Sequence, residues 1–155
     1  MKKQKNKLIG INATCFSNRP SGAKNRFIGF FQHIFNVNQD LNFIVYMPTD
    51  CRLEKYFSKN QNVTFKRTPL KSTNPLQRFI FGLFYWYFEL RRMNFDIFES
   101  FNLPLVKNPL GTTLLTIHDV RHIREFSLFR FIKFIIHQRA IRQADSVITV
   151  SDSMR

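Results

Sequence analysis

The stretch DIFESFNLPLVKNPLGTTLLTIHDVRHI, Asp96 to Ile123, decides how the chain reads. Residues 96–100 form a short apolar run and residues 112–117 a second, each too short for a helix and rich in strand-favouring residues. A loop punctuated by Pro104 and Pro109 separates them. His118 and Asp119 follow where the second strand ends. Ligand chemistry in an open parallel sheet collects outside the carboxyl ends of its strands, so this polar pair is the first candidate site.

Working outward, the same alternation continues on both sides. Upstream, residues 7–15 read as a first strand that breaks at a run of turn formers, Phe16-Ser17-Asn18-Arg19-Pro20-Ser21-Gly22. Helical spacing follows from Ala23, with Phe27, Phe30, Phe31, Ile34 and Phe35 at offsets of three and four. Residues 41–47 are a buried strand ended by Pro48, residues 54–58 a short helix, and residues 63–66 a third strand. After a loop over 69–75, residues 76–93 carry the longest helical pattern. Downstream, residues 127–143 form another helix and residues 146–150 a last buried strand. Strands alternating with helices predict an α/β, Rossmann-like three-layer domain with a mostly parallel sheet and helices on both faces. No internal repeat or linker interrupts it, and 155 residues suffice for one domain with a hydrophobic core.

Composition narrows the partners rather than the fold. The chain has 24 Lys and Arg against 10 Asp and Glu, a formal charge of +14, which favours anionic partners: phosphorylated substrates, lipid headgroups or nucleic acid. Nineteen Phe are far more than an ordinary domain uses. Cys15 and Cys51 have no metal or disulfide spacing and read as small core residues in a reducing compartment. The basic N-terminus has too short an apolar run for a signal peptide, because Asn12 interrupts it. The longest uncharged aromatic run, residues 79–88, is about half of the ~20 residues that cross a bilayer.

Three constellations could carry function. Arg19-Pro20-Ser21-Gly22-Ala23-Lys24-Asn25-Arg26 lies between a strand and a helix, where free N–H groups at a helix N-terminus receive phosphate and three basic residues add charge; the same residues also make an ordinary βα turn with solvated cations. His118-Asp119 could bind a phosphate or a sugar hydroxyl, or His118 could cap a loop. His118 and His122 stand four apart as in H-E-x-x-H, but they follow a strand, and Asp119 replaces the Glu base, so zinc is set aside. The two long helices mix Phe, Tyr and Ile with cations. Most of that apolar surface is expected in the core, with the remainder as a partner or membrane patch. Nucleic acid is also set aside, because charge alone points to it.

These residues resemble a known family. Pro20-Ser21-Gly22-Ala23-Lys24-Asn25-Arg26-Phe27 is similar to the glycine loop and following helix of the retaining glycosyltransferases of family four. Asp96-Ile97-Phe98-Glu99-Ser100 resembles their D-hydrophobic-hydrophobic-H-S strand, with Glu99 where His is usual. Thr116-Ile117-His118-Asp119-Val120 is similar to their T-I-H-D-L segment, and residues 144–151 (ADSVITVS) to their A-D-x-V-I-x-V-S segment. The four occur in family order across nearly the whole chain.

The resemblance implies the N-terminal half of a GT-B fold, the acceptor side of a two-domain cleft. It implies sugar transfer with retention from a nucleotide-sugar to a glycan or lipid-linked acceptor, in surface polysaccharide or glycolipid synthesis. The nucleotide-sugar is a co-substrate; no cofactor and no metal is implied. His118 and Asp119 take the catalytic positions, His118 on the transferring sugar and its phosphate, Asp119 ordering the loop. Ser21, Gly22, Ala23, Lys24, Arg26 and Ser151 take substrate-binding positions. The family's donor half, with its glutamate pair, has no counterpart in these 155 residues, so a separate donor domain is an expected partner. The expected place is cytoplasmic, peripheral on the inner face of the cytoplasmic membrane. Ser151-Asp152 reads as the cap of a helix that does not follow, which suggests half an enzyme, inactive alone. The alternatives are a non-enzymatic basic domain that binds anionic membrane or nucleic acid, and an inactive gene fragment.

Overall fold

A computed structural model describes residues 6–57, 60–117 and 128–149. Among these residues are six strands: β1 Leu8–Asn12, β2 Asn42–Met47, β3 Val63–Arg67, β4 Ile97–Ser100, β5 Thr112–Ile117 and β6 Ser146–Thr149. Three helices join them: α1 Gly22–Val37, α2 Pro75–Met93 and α3 Leu128–Gln143, with a 3-10 turn at Leu53–Tyr56. All pairings are parallel, in the order β3-β2-β1-β4-β5-β6. This is the Rossmann-like three-layer α/β domain.

The layering follows from the handedness of parallel crossovers. From β1 to β2 the chain moves one way along the sheet, so a right-handed crossover puts α1 on one face. The connection from β3 to β4 passes back beyond β1 and reverses that direction, which puts α2 on the other face, and β5 to β6 continues the same way with α3. The side chains agree. Phe27, Phe31 and Phe35 of α1, four apart, pack on Ile11, Phe43 and Val45. Trp86 and Leu90 of α2 pack on Tyr46, one residue out of step with Val45, and on Phe98, which pairs with Gly10 rather than Ile11, so both lie on the opposite face. Ala140 of α3 joins Leu105 and Leu115 on the α2 face.

Local chemistry sets the helix ends. The Ser21 side chain caps α1 by accepting from the Lys24 N–H at 3.2 Å. Asn74 does the same for α2 through the Gln77 N–H at 3.0 Å, with Pro75 in the first turn, where its missing donor costs nothing. Asn94 ends α2 in the left-handed region, at φ 51°. A buried carboxylate then ties α2 to the sheet: Glu89 accepts from the Tyr46 hydroxyl at 2.7 Å and pairs with Lys66 and with Arg92 at 3.1 Å.

Two expectations need correction. Strand β6 is not buried: Val147 and Ile148 are exposed, because β6 stands at the sheet edge and pairs with β5 alone among the described residues. Residues 79–88 are not mostly core either. Trp86 and Gly82 face inward, whereas Ile80, Phe81, Leu83, Phe84, Tyr87 and Phe88 are exposed. No helix among the described residues is long and apolar enough to cross a membrane.

Candidate functional site

The sheet order reverses between β1 and β4, so the crevice that open α/β sheets use for ligands lies at the carboxyl ends of those two strands. Asn12 and Ser100 end them and stand in register. The Asn12 amide donates to the Ser100 hydroxyl at 3.0 Å, and its oxygen accepts from the Thr14 hydroxyl at 2.6 Å and the Thr14 N–H at 3.2 Å. The Ser100 hydroxyl in turn donates to the Asn102 carbonyl at 2.8 Å. All three side chains are fully buried, which makes them the rigid floor of the crevice. Asn102 adds a side-chain oxygen, buried and without a hydrogen-bond partner. Sequence reasoning passed over this network. The available signal was a polar residue closing each of two apolar strands.

The loop between β1 and α1 forms one wall, held by its own lysine. Lys24 is buried, and its ammonium donates to the carbonyls of Ser17 at 3.0 Å and Asn18 at 3.2 Å, with the Tyr56 ring 5.5 Å away. Asn18 reaches on to the Asp50 carbonyl at 2.9 Å. The Asp50 carboxylate accepts from the N–H groups of Ser72 and Thr73 at 2.8 and 3.1 Å. Burial would push its pKa up, but these hydrogen bonds outweigh that and hold Asp50 below the usual carboxylate range. Three loops at the carboxyl edge are thus laced together.

Within that wall the expected residues divide. Ser21 is the helix cap. Gly22 has an ordinary backbone, and open space surrounds the position a Cβ would take, so the chain does not need glycine there for its own conformation. Ala23 packs against the α1 core. The Lys24 N–H goes to the cap and the Asn25 N–H to the Ser21 carbonyl, which leaves the Gly22 and Ala23 N–H groups for an acceptor outside the helix. Arg19 and Arg26 are exposed at the surface. His118, Asp119 and Ser151 lie outside the described residues.

One further cation lies at this carboxyl edge and was not anticipated. Arg78, in the first turn of α2, donates from Nη1 to the Ser72 carbonyl at 2.7 Å, while its Nε is buried without a partner. Burial lowers its pKa, partly offset by the nearby Cys15 and Asp50. Cys15 itself is pushed up to about 12 by burial, so it is a thiol rather than a nucleophile, and it points at the Phe101 carbonyl. On the other face, Glu99 accepts from the Thr116 hydroxyl at 2.6 Å. Burial raises its pKa, only partly offset by that hydrogen bond. No group of three or more metal-ligating side chains occurs among the described residues. A hollow of about 300 Å³ lined by Asn36, Gln39 and Asn60 lies at the far end of α1, away from the crevice.

The carboxyl edge at the switch point of this Rossmann-like domain therefore carries two helix N–H groups, an orphaned amide oxygen and a guanidinium. Compared with protein-family models, curated proteins and solved structures, the chain matches none of them.

Proposed function

We propose that the chain is the acceptor-side domain of a retaining GT-B glycosyltransferase that transfers a sugar from a nucleotide-sugar to a glycan or lipid-linked acceptor. The observation that carries this reading is the coincidence of sequence and topology. The family-like segments fall on the β1–α1 loop, on β4, on β5 up to Ile117 and on β6 up to Thr149; the first two flank the β1–β4 reversal, and the other two follow in order across the sheet. The groups lining the crevice suit such ligands, since amides and hydroxyls pair with sugar hydroxyls, and helix N–H groups with a guanidinium pair with phosphate. In this reading His118 contacts the transferring sugar and Asp119 orders its loop. Donor chemistry also needs the opposite cleft wall, which excludes water and stabilises the departing diphosphate.

The test is transfer of labelled sugar from a panel of nucleotide-sugars to a membrane lipid extract. The purified chain is assayed alone and with proteins it captures from its source cells. Transfer only with a captured donor domain, lost in His118→Ala, supports the reading. Efficient transfer by the 155-residue chain alone defeats the half-enzyme assignment, and no transfer under any condition defeats the enzymatic one. A second, non-enzymatic reading, a basic domain that binds an anionic membrane, draws on one observation: the exposed aromatic face of α2.

A further inference from the structure

The outer surface of α2 is the least ordinary feature of the molecule. Leu76, Ile80, Leu83 and Tyr87 form one exposed ridge, at spacings of four, three and four; Phe81, Phe84 and Phe88 form a second beside it. At 100° per residue these seven positions cover an arc of roughly 160°, in which only Gln77 and Arg91 are polar. A helix on a sheet needs an apolar stripe on its inner side alone, and α2 already has one in Trp86 and Leu90. The second apolar face has no partner among the described residues.

We infer that this face docks on an anionic phospholipid bilayer, with its two ridges in the acyl–headgroup boundary. The occupant follows from charge. Arg91 lies over the Tyr87 ring at 3.6 Å, inside the apolar arc, which holds a cation at the depth of the aromatic residues and in reach of lipid phosphate. Arg92, on the flank of the arc, keeps an exposed side chain beside it. On the same side of the sheet, α3 exposes Phe134 and Ile135 with Arg139 and Arg142. Aromatic residues interleaved with arginine are the composition of an interfacial surface. A second copy of the chain fits worse, since pairing through α2 brings together two molecules of formal charge +14. The inference holds for either reading of the crevice, because α2 docks through its outer side.

The test is co-sedimentation of the full chain with vesicles of phosphatidylcholine alone or mixed with phosphatidylglycerol. Phe84→Gln/Phe88→Gln removes two of the most exposed rings without altering charge. Arg91→Gln removes the stacked cation. The buried Trp86 reports folding of each variant by its emission. The expected result is binding that requires phosphatidylglycerol, and that falls roughly tenfold or more in the double variant and severalfold in Arg91→Gln. Binding retained by the double variant but abolished by salt means general adsorption of a cationic protein, and overturns the inference. So does equal binding to both vesicles, and so does a concentration-dependent dimer with no vesicle binding.

Discussion

Lys24 sits where a phosphate-binding residue was expected, yet its ammonium is directed at the chain's own backbone. Replacing it with methionine keeps the buried stem and removes two charge-assisted hydrogen bonds, to the Ser17 and Asn18 carbonyls at 3.0 and 3.2 Å. Hydrogen bonds to charged groups contribute about 1.5–3 kcal/mol each. Both carbonyls belong to a loop that water can reach once it loosens, so Lys24→Met is expected to cost about 2–4 kcal/mol in total rather than the full sum. In urea, with a slope of roughly 2 kcal/mol per molar, the midpoint falls by about 1–2 M. The control is Lys71→Met, an exposed lysine whose loss should change stability by no more than about 0.5 kcal/mol. Limited proteolysis should also open Lys24→Met first near residues 17–20. A Lys24→Met midpoint equal to that of the control refutes the reasoning: the ammonium would then be free to turn toward a ligand.

Glu89→Gln weakens the group that ties Tyr46 and Lys66 of the sheet to α2 and pairs with Arg92 one turn on, at an expected cost of about 2–4 kcal/mol, moderated because Lys66 and Arg92 reach water. Burial alone would raise the Glu89 pKa, but hydrogen bonds from Lys66, Arg92 and Tyr46 hold it below the usual range. Its contribution is therefore present above the unfolded carboxyl pKa and lost as pH falls through the lower folded value, so wild type and variant should converge in acid. Glu99 has the opposite sign: burial raises its folded pKa, the native state holds its proton longer, and stability declines as pH rises through that raised value. Glu99→Gln keeps an acceptor for Thr116 and should be more stable than wild type at neutral pH, with the difference vanishing in acid; denaturant titrations at both pH values check both residues. Gly111→Ala puts a Cβ 2.2 Å from the Phe95 carbonyl oxygen and 2.4 Å from that of Asp96, so the β4–β5 junction must shift, and thermal unfolding should show a loss of at least about 2 kcal/mol.

How legible each part was depends on which distances the information spans. Element order was readable because each strand is a short apolar run bounded by Pro, Gly or Asn, and each helix carries its own period; both are local. The face that α2 buries was not readable, because a helix apolar on both sides has no single stripe to mark the inside. Nor could Val147 and Ile148 reveal that their strand stands at an edge, since an apolar run looks alike in the centre and at the margin of a sheet. The Asn12–Ser100 floor depends on a register between residues 88 apart, which no local pattern encodes.

The placement of charge at the crevice shows the same division and changes where an anion should bind. Counting cations marks the β1–α1 loop, with Arg19, Lys24 and Arg26, as the electropositive wall. Geometry subtracts Lys24, whose donors hold the loop, and adds Arg78, which no motif singled out. The addition follows from topology. In a parallel sheet with right-handed crossovers every helix begins at the carboxyl edge, so the first turns of α1 and α2 share one edge of the sheet although the helices lie on opposite faces. One brings the Gly22 and Ala23 N–H groups and the other the Arg78 guanidinium, whose Nε still lacks an acceptor. In the glycosyltransferase reading, a phosphate at this edge has the Gly22 and Ala23 N–H groups and the Arg78 guanidinium as its candidate donors. The residue to mutate first for anion binding is therefore Arg78, and the residue to mutate first for stability is Lys24.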